Sequence, residues 1–174
     1  MSRRTIVLEM AALEATHLAG LVEQFLELLE DSGDRPRPDD PAVARLVPDA
    51  YRDDADAAGE FRDLTQRDLL DRRATDAALV LSTLGVHGDG VRTHPREPAG
   101  VDEPVTVSLG VDEAAAWLKT LAAIRLVLAS RLGIVDEDDH DETDPRFGIY
   151  DWLGFRLDGL VRALDAGGSG SAPA

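Results

Sequence analysis

Three long segments of this chain repeat apolar side chains at the spacing of an α-helix, and this pattern constrains the fold more than any other feature. The first segment covers about residues 10 to 31, and its apolar stripe consists of Leu18, Leu21, Val22, Phe25, Leu28 and Leu29. Similar stripes run from Ala114 to Leu132 and from Ile149 to Leu164. Because a helix with one apolar face must bury that face against another element, the pattern predicts a mainly α-helical fold.

Turn-forming residues separate these segments. Residues 31–40 are rich in Asp, Pro and Gly and predict a surface loop, after which Asp40-Pro41 predicts the start of a short helix. A further helical region is expected from about Asp54 to Gly85, with a break or kink at residues 65–68, whose Thr-Gln-Arg-Asp sequence resembles a capping box. Residues 85–103 contain many glycines and prolines and predict an extended loop.

Two short segments have the alternation that is typical of β-strands. Residues 4–8 and residues 105–109 are expected to pair, because an isolated strand leaves its backbone groups without hydrogen bonds. We therefore predict one compact helical domain over residues 1–166, mainly α with a minor two-stranded β element. Residues 167–174 are expected to form a flexible Gly/Ser tail.

The residue inventory restricts the classes of function. Asp and Glu outnumber Lys and Arg by 34 to 18, a net charge of −16, so direct DNA binding is disfavoured by phosphate repulsion. The absence of cysteine excludes disulfides and thiol switches. The longest uncharged run, residues 77–88, is too short to cross a membrane, and Glu9 and Glu14 interrupt any export signal. We therefore expect a cytoplasmic protein without a membrane partner.

Two groups of residues have the composition of metal ligands. Glu14 and His17 have the E-x-x-H spacing of di-iron bundles, and residues 136–144 concentrate carboxylates around His140. A single E-x-x-H motif does not make a site, and the acidic segment lacks the EF-hand spacing. We predict no catalytic residues, no cofactor and no metal site, with a metal-dependent enzyme using Glu14, His17 and the acidic loop as one alternative.

Several side chains have predicted structural roles. Trp117 and Trp152 lie on apolar stripes and are expected in the core. Arg125 lies beside an apolar stripe and is expected to pair with an acid on a neighbouring helix. Arginines between residues 62 and 73 alternate with aspartates, which predicts ion pairs within one helix.

The chain also resembles an actinobacterial family of unknown function that includes the oxidative stress regulator AosR, whose members are often encoded beside the ClpS adaptor. Lys119 is the only lysine, which agrees with a GC-rich source. The resemblance depends on Asp40-Pro41, Arg45–Tyr51, Glu60–Thr65, Ala116–Leu118, Arg125-Leu126, Arg131–Ile134 and Tyr150–Leu153.

The resemblance implies a stress-responsive transcriptional regulator that contacts a sigma factor of RNA polymerase. A Clp-protease-linked adaptor is the alternative within the class of binding proteins. The cysteine-based sensing of the family regulator cannot apply to this chain, because it has no cysteine. The resemblance supplies no catalytic residues, so we expect a protein that is not an enzyme.

The partner-binding surface is predicted between Pro48 and Arg67. Its candidate contact residues are Tyr51, Phe61, Arg62 and Arg67, because Tyr, Phe and Arg are side chains that often anchor interfaces. The alternative is that Tyr51 and Phe61 close the core beneath the preceding loop. Whether the protein forms a homodimer is left open.

Overall fold

The computed structural model describes residues 5–33, 40–47, 55–85, 104–136 and 139–166, with residues 55–64 described by their backbone alone. The described residues form five α-helices, two β-strands and one 3-10 turn. In chain order these are β1 Ile6–Ala11, α1 Ala12–Gly33, α2 Pro41–Leu46, α3 Ala55–Thr83, β2 Pro104–Leu109, α4 Val111–Leu132, the 3-10 turn Pro145–Phe147 and α5 Gly148–Ala166. The predicted class, mainly α with a minor β element, is confirmed.

The two strands pair with each other in an antiparallel sheet. Ile6 lies opposite Leu109 and Met10 lies opposite Val105, so the predicted pairing is confirmed for the described residues. Strand β1 continues to Ala11, and the first helix therefore begins later than the predicted residue 10. Alternation places Ile6 and Met10 in the core and leaves Val7 exposed.

The helices pack around α4. Helix α4 contacts α2, α3 and α5, and α1 packs mainly against α3. Trp117 of α4 is 1% exposed, and its indole Nε1 donates a hydrogen bond to Thr83 Oγ1 at 2.8 Å. The predicted core position of Trp117 is thus confirmed, and its one polar atom is satisfied within the protein.

Local signals define most helix ends. The Asp40 carboxylate accepts a hydrogen bond from Ala42 N at 2.8 Å, and Gly133 ends α4 with a φ of 75°, both as predicted. Helix α4 differs at its start. Its N-cap is Gly110 rather than Asp112, and the Gly110 N–H donates to the Glu113 carboxylate at 2.7 Å.

The predicted break at residues 65–68 is wrong, because α3 continues without interruption from Ala55 to Thr83. A capping box requires an extended residue at its first position, whereas Thr65 is helical. Gln66 and Leu70 are buried one turn apart on the same face. Core packing of this face favours a continuous helix over the local capping signal.

The predicted surface loop at residues 31–40 begins later than expected, because α1 continues to Gly33, and its residues 34–39 lie outside the described ranges. The extended loop beyond Gly85, over residues 86–103, and the tail at residues 167–174 also lie outside them. Within the described ranges, every helix is too short or too polar to span a bilayer.

Candidate functional site

An apolar groove lies between α1 and the start of α5. It has a volume of about 530 Å³ and will be called the α1–α5 groove; its lining includes His17, Gly20, Leu21, Ile149 and Trp152. Ile149 is 53% exposed although it belongs to the apolar stripe of α5. The sequence pattern placed this side chain against the core, whereas the structure leaves it at the groove.

Two glycines keep the groove open. A Cβ atom built on Gly20 or on Gly148 meets no heavy atom within 4 Å, so each glycine faces open space. Gly20 interrupts the side chains in the middle of α1, and Gly148 is the first residue of α5. Backbone from a bound segment could therefore approach closely at both positions.

The Trp152 indole forms part of the groove lining and is only partly buried. Its Nε1 donates a hydrogen bond to Glu14 Oε1 at 2.9 Å. The prediction that Trp152 lies in the core therefore holds only in part: the ring packs against the core, and the rest of its surface lines the groove. The hydrogen bond to Glu14 fixes the ring while part of its surface remains available.

Glu14 connects three elements at one end of the groove. Its carboxylate accepts hydrogen bonds from Ala11 N at 2.9 Å and from Trp152, and it forms an ion pair with Arg156. Arg156 also donates from Nη1 to the Glu9 carbonyl at 3.0 Å. We call Glu14, Trp152 and Arg156 the Glu14 clasp, because together they tie α5 to β1 and the start of α1.

The Glu14 clasp changes the acidity of its carboxyl group. The hydrogen bond from Arg156, followed by those from Ala11 and Trp152, lowers the pKa of Glu14 from 4.5 to about 2. Each of these donors stabilises the charged form. Glu14 is therefore ionised at neutral pH and serves as an acceptor.

These contacts bear on the metal-dependent alternative. Both oxygens of Glu14 accept hydrogen bonds, and His17 is exposed on α1. In the described part of the chain, the structure does not bring Glu14, His17 and the acidic segment into a ligand set.

A second, polar cleft lies where α4, residues 134–136 and residues 140–142 meet α5, with a volume of about 880 Å³. Within it, His140 Nε2 lies 2.7 Å from Asp151 Oδ1. Arg125 donates from Nε to the Tyr150 carbonyl at 3.3 Å, and its guanidinium lies 3.9 Å from the centre of the Tyr150 ring. The predicted pairing of Arg125 with an acid is wrong for the described residues: a carbonyl and an aromatic face replace the carboxylate.

The described carboxylates of the acidic segment bind their own chain. Asp139 accepts hydrogen bonds from Val135 N at 2.9 Å and Asp136 N at 3.0 Å, and Asp141 accepts from both polar groups of Thr143. These hydrogen bonds lower the pKa of Asp139 and Asp141. The arrangement is that of a loop folded by side-chain turns and exposed to water.

The four predicted contact residues have different positions. Tyr51 lies outside the described residues, Phe61 and Arg62 belong to the part of α3 described by its backbone, and Arg67 is exposed on α3. Their partner-binding role stays a prediction.

The α1–α5 groove is not indicated by the sequence pattern, because the distance between two helices that are far apart in sequence cannot be inferred from the apolar stripe of either helix. Gly20 within an apolar stripe was the one local signal.

The chain belongs to a family described as a domain of unknown function, DUF2017, whose family model matches residues 1–164. The predicted membership in a family of unknown function is thereby confirmed. Neither the comparison with curated proteins nor the comparison with solved structures gives a match.

Proposed function

We propose that this protein is a non-enzymatic, cytoplasmic regulator that acts by binding another protein in the α1–α5 groove. The observation that carries the proposal is the apolar groove of about 530 Å³, in which Ile149 is largely exposed and Trp152 is held in place by Glu14. Exposed aromatic and aliphatic side chains in a concave surface are typical of interface anchors.

The occupant that fits this groove is an amphipathic helix of the partner. Residues of two helices, α1 and α5, form the walls, and grooves between helices commonly accept the apolar face of a third helix. Gly20 and Gly148 leave space for close approach. The net charge of −16 favours a partner helix whose polar face is basic, because opposite charges accelerate encounter and disfavour wrong partners.

The resemblance to the stress-regulator family supports a sigma factor of RNA polymerase as the partner. Stress-responsive control of transcription is the regulatory role that we propose, and the actinobacterial origin is part of the same proposal. The predicted surface containing Tyr51, Phe61, Arg62 and Arg67 would be a second contact. Promoter DNA is disfavoured by the net charge.

Filling the groove tests the proposal. Gly20→Leu places an apolar side chain in the groove, and Ala78→Leu adds the same side chain to an exposed position on α3 as a matched control. Binding to purified sigma factor is measured near physiological salt by titration calorimetry. We expect Gly20→Leu to weaken binding at least about tenfold, equal to 1.4 kcal/mol, and Ala78→Leu to bind as the wild type does.

The same titrations include three further arms: the ClpS adaptor, promoter DNA, and the double variant Tyr51→Ala with Arg62→Glu. Binding to ClpS in place of sigma factor would replace regulation of transcription by the Clp-linked alternative. Tight binding to promoter DNA by the protein alone would contradict the proposal. Sigma-factor binding lost in the double variant and retained in Gly20→Leu would move the interface to the predicted surface.

A further inference from the structure

We infer that a third cavity, between α1, α3 and α4, binds a small organic anion. This α3–α4 pocket has a volume of about 270 Å³ and lies apart from the α1–α5 groove. Three basic side chains line it, Arg72, Arg73 and Lys119, together with one acidic side chain, Asp76. In a chain with a net charge of −16, three cations against one carboxylate around one cavity are a local excess of positive charge.

The three cations are not equivalent. Arg72 pairs with Asp68 at 2.8 Å on the exposed face of α3, and Lys119 lies 3.5 Å from Asp76. Arg73 forms no ion pair with a carboxylate in the described ranges, and its Nη2 donates only to the Leu46 carbonyl at 3.2 Å. Of the three cations, Arg73 is thus the one without a carboxylate in ion-pair contact among the described residues.

The surroundings of Arg73 make that charge costly. Burial lowers the pKa of Arg73, with nearby Asp76 acting in the opposite direction. A partly buried guanidinium without a counter-ion is destabilising, and a bound anion would remove that cost. Arginine also matches the planar, bidentate geometry of carboxylate and phosphate groups better than lysine does.

Two buried polar atoms near the pocket also lack hydrogen-bond partners among the described residues: Arg73 Nε and Thr120 Oγ1. Thr120 lines the pocket and is only 2% exposed. Buried polar atoms are almost always hydrogen-bonded, so these two atoms are polar groups that a ligand in the pocket can satisfy. We expect side-chain rotation to bring both atoms toward the anion when it binds.

The remaining walls determine the rest of the ligand. Phe25, Leu69 and Ala123 line the pocket with apolar surface. Small-molecule sites commonly combine such surface with a few polar groups that fix orientation. The ligand would carry a phosphate or a carboxylate next to a small apolar body, with the oxyanion at Arg73 and the apolar part against Phe25.

Titration with phenyl phosphate, monitored by backbone amide NMR at constant ionic strength, tests the inference. We expect saturable shifts around Leu69, Thr120 and Ala123. Inorganic phosphate should bind more weakly, because it lacks the apolar body. Benzoate forms a third arm, and its affinity relative to phenyl phosphate distinguishes a carboxylate site from a phosphate site.

Three variants test whether phenyl phosphate binds in the α3–α4 pocket. Arg73→Met keeps the length of the side chain without its charge and should weaken phenyl phosphate binding at least about tenfold. Thr120→Val keeps the shape and removes the hydroxyl, and we expect about fivefold weaker binding. Arg162→Met removes an exposed arginine of α5 and should bind as the wild type does.

The inference would be overturned by the absence of saturable shifts up to about 10 mM of every probe, which is already the range of a very weak site. Equal weakening by Arg162→Met would overturn it too, because binding would then follow overall charge. If Arg73→Met fails to fold, Thr120→Val decides, and unchanged affinity in that variant contradicts the site. None of these outcomes depends on a protein partner.

Discussion

The two tryptophans lie in regions that are organised differently. Trp117 is enclosed between α3 and α4, 1% exposed, and bonded to a neutral hydroxyl of Thr83. Trp152 lies at the edge between α5 and α1, is partly buried, and is bonded to an ionised carboxylate. The same residue type on the same kind of apolar stripe thus occupies a closed core in one place and an open groove in the other.

The difference shows how a ring can be fixed without being enclosed. Around Trp117, burial in the core determines the orientation, and the hydrogen bond satisfies a group that would otherwise be buried unpaired. Around Trp152, the Glu14 clasp supplies the orientation, so the groove-facing surface need not be covered. A preorganised aromatic surface loses less conformational entropy when it binds a partner.

The largest expected effect comes from truncating each ring in turn. Trp117→Ala should lower the free energy of unfolding by about 3 to 5 kcal/mol, because it leaves a cavity in the core. Trp152→Ala should cost less, on the order of 2 kcal/mol, because part of the ring already contacts water. Both values follow from chemical denaturation monitored by circular dichroism.

Equal losses in the two variants would contradict the distinction between a closed core and an open groove. Leu153→Ala serves as the control within α5, since Leu153 is fully buried next to Trp152. Its cost should match the range of core leucines, about 2 to 5 kcal/mol.

The next effect concerns the charge of the Glu14 clasp. Glu14→Gln should lower stability by about 1 to 2 kcal/mol at neutral pH, because the charged partner of Arg156 is lost. The pKa of Glu14 is about 2 in the folded protein against 4.5 for the free group, so its stabilisation is fully present above pH 4.5. It is lost as the pH falls from 4.5 toward 2.

Unfolding of wild type and Glu14→Gln is therefore compared from pH 7 downward. The difference between the two should shrink below pH 4.5. Glu23→Gln changes an exposed glutamate on the same helix and controls for net charge. A difference between wild type and Glu14→Gln that does not change with pH would contradict the lowered pKa of Glu14 in the folded protein.

The smallest expected effect is an increase in stability. Gly20→Ala is expected to raise the free energy of unfolding by about 0.5 to 1 kcal/mol, because glycine within a helix is entropically unfavourable and the new Cβ meets open space. Thermal unfolding at neutral pH measures this gain. A loss of stability would mean that the groove is closed at Gly20 in solution and that the two regions are more alike than the structure indicates.

Much of the fold could be predicted because its signals are local. The alternation of Val105, Val107 and Leu109 identified β2, and Asp40-Pro41 and Gly133 identified helix ends. Each signal depends on backbone preferences within a few residues. The capping-box signal at residues 65–68 failed because burial of Gln66 and Leu70 outweighed it.

The candidate site could not be predicted in the same way. Glu14 and Arg156 are 142 positions apart, and nothing near either residue indicates the other. Arg125 contacts the carbonyl and the aromatic ring of Tyr150, whereas the apolar sequence around Arg125 predicted a carboxylate partner. The apolar stripe of α5 shows which of its side chains are hydrophobic. The exposure of Ile149, by contrast, depends on the distance between α1 and this side chain.

The pairing of β1 with β2 has a consequence for the order in which the chain can fold. Ile6 pairs with Leu109, which the ribosome adds roughly a hundred residues later. Synthesis proceeds at about 5 to 20 residues per second, so β1 exists for seconds before β2 is made. During those seconds β1 lacks the strand with which it pairs in the native protein. Glu9 within β1 is a charge that opposes pairing with other strands in this interval.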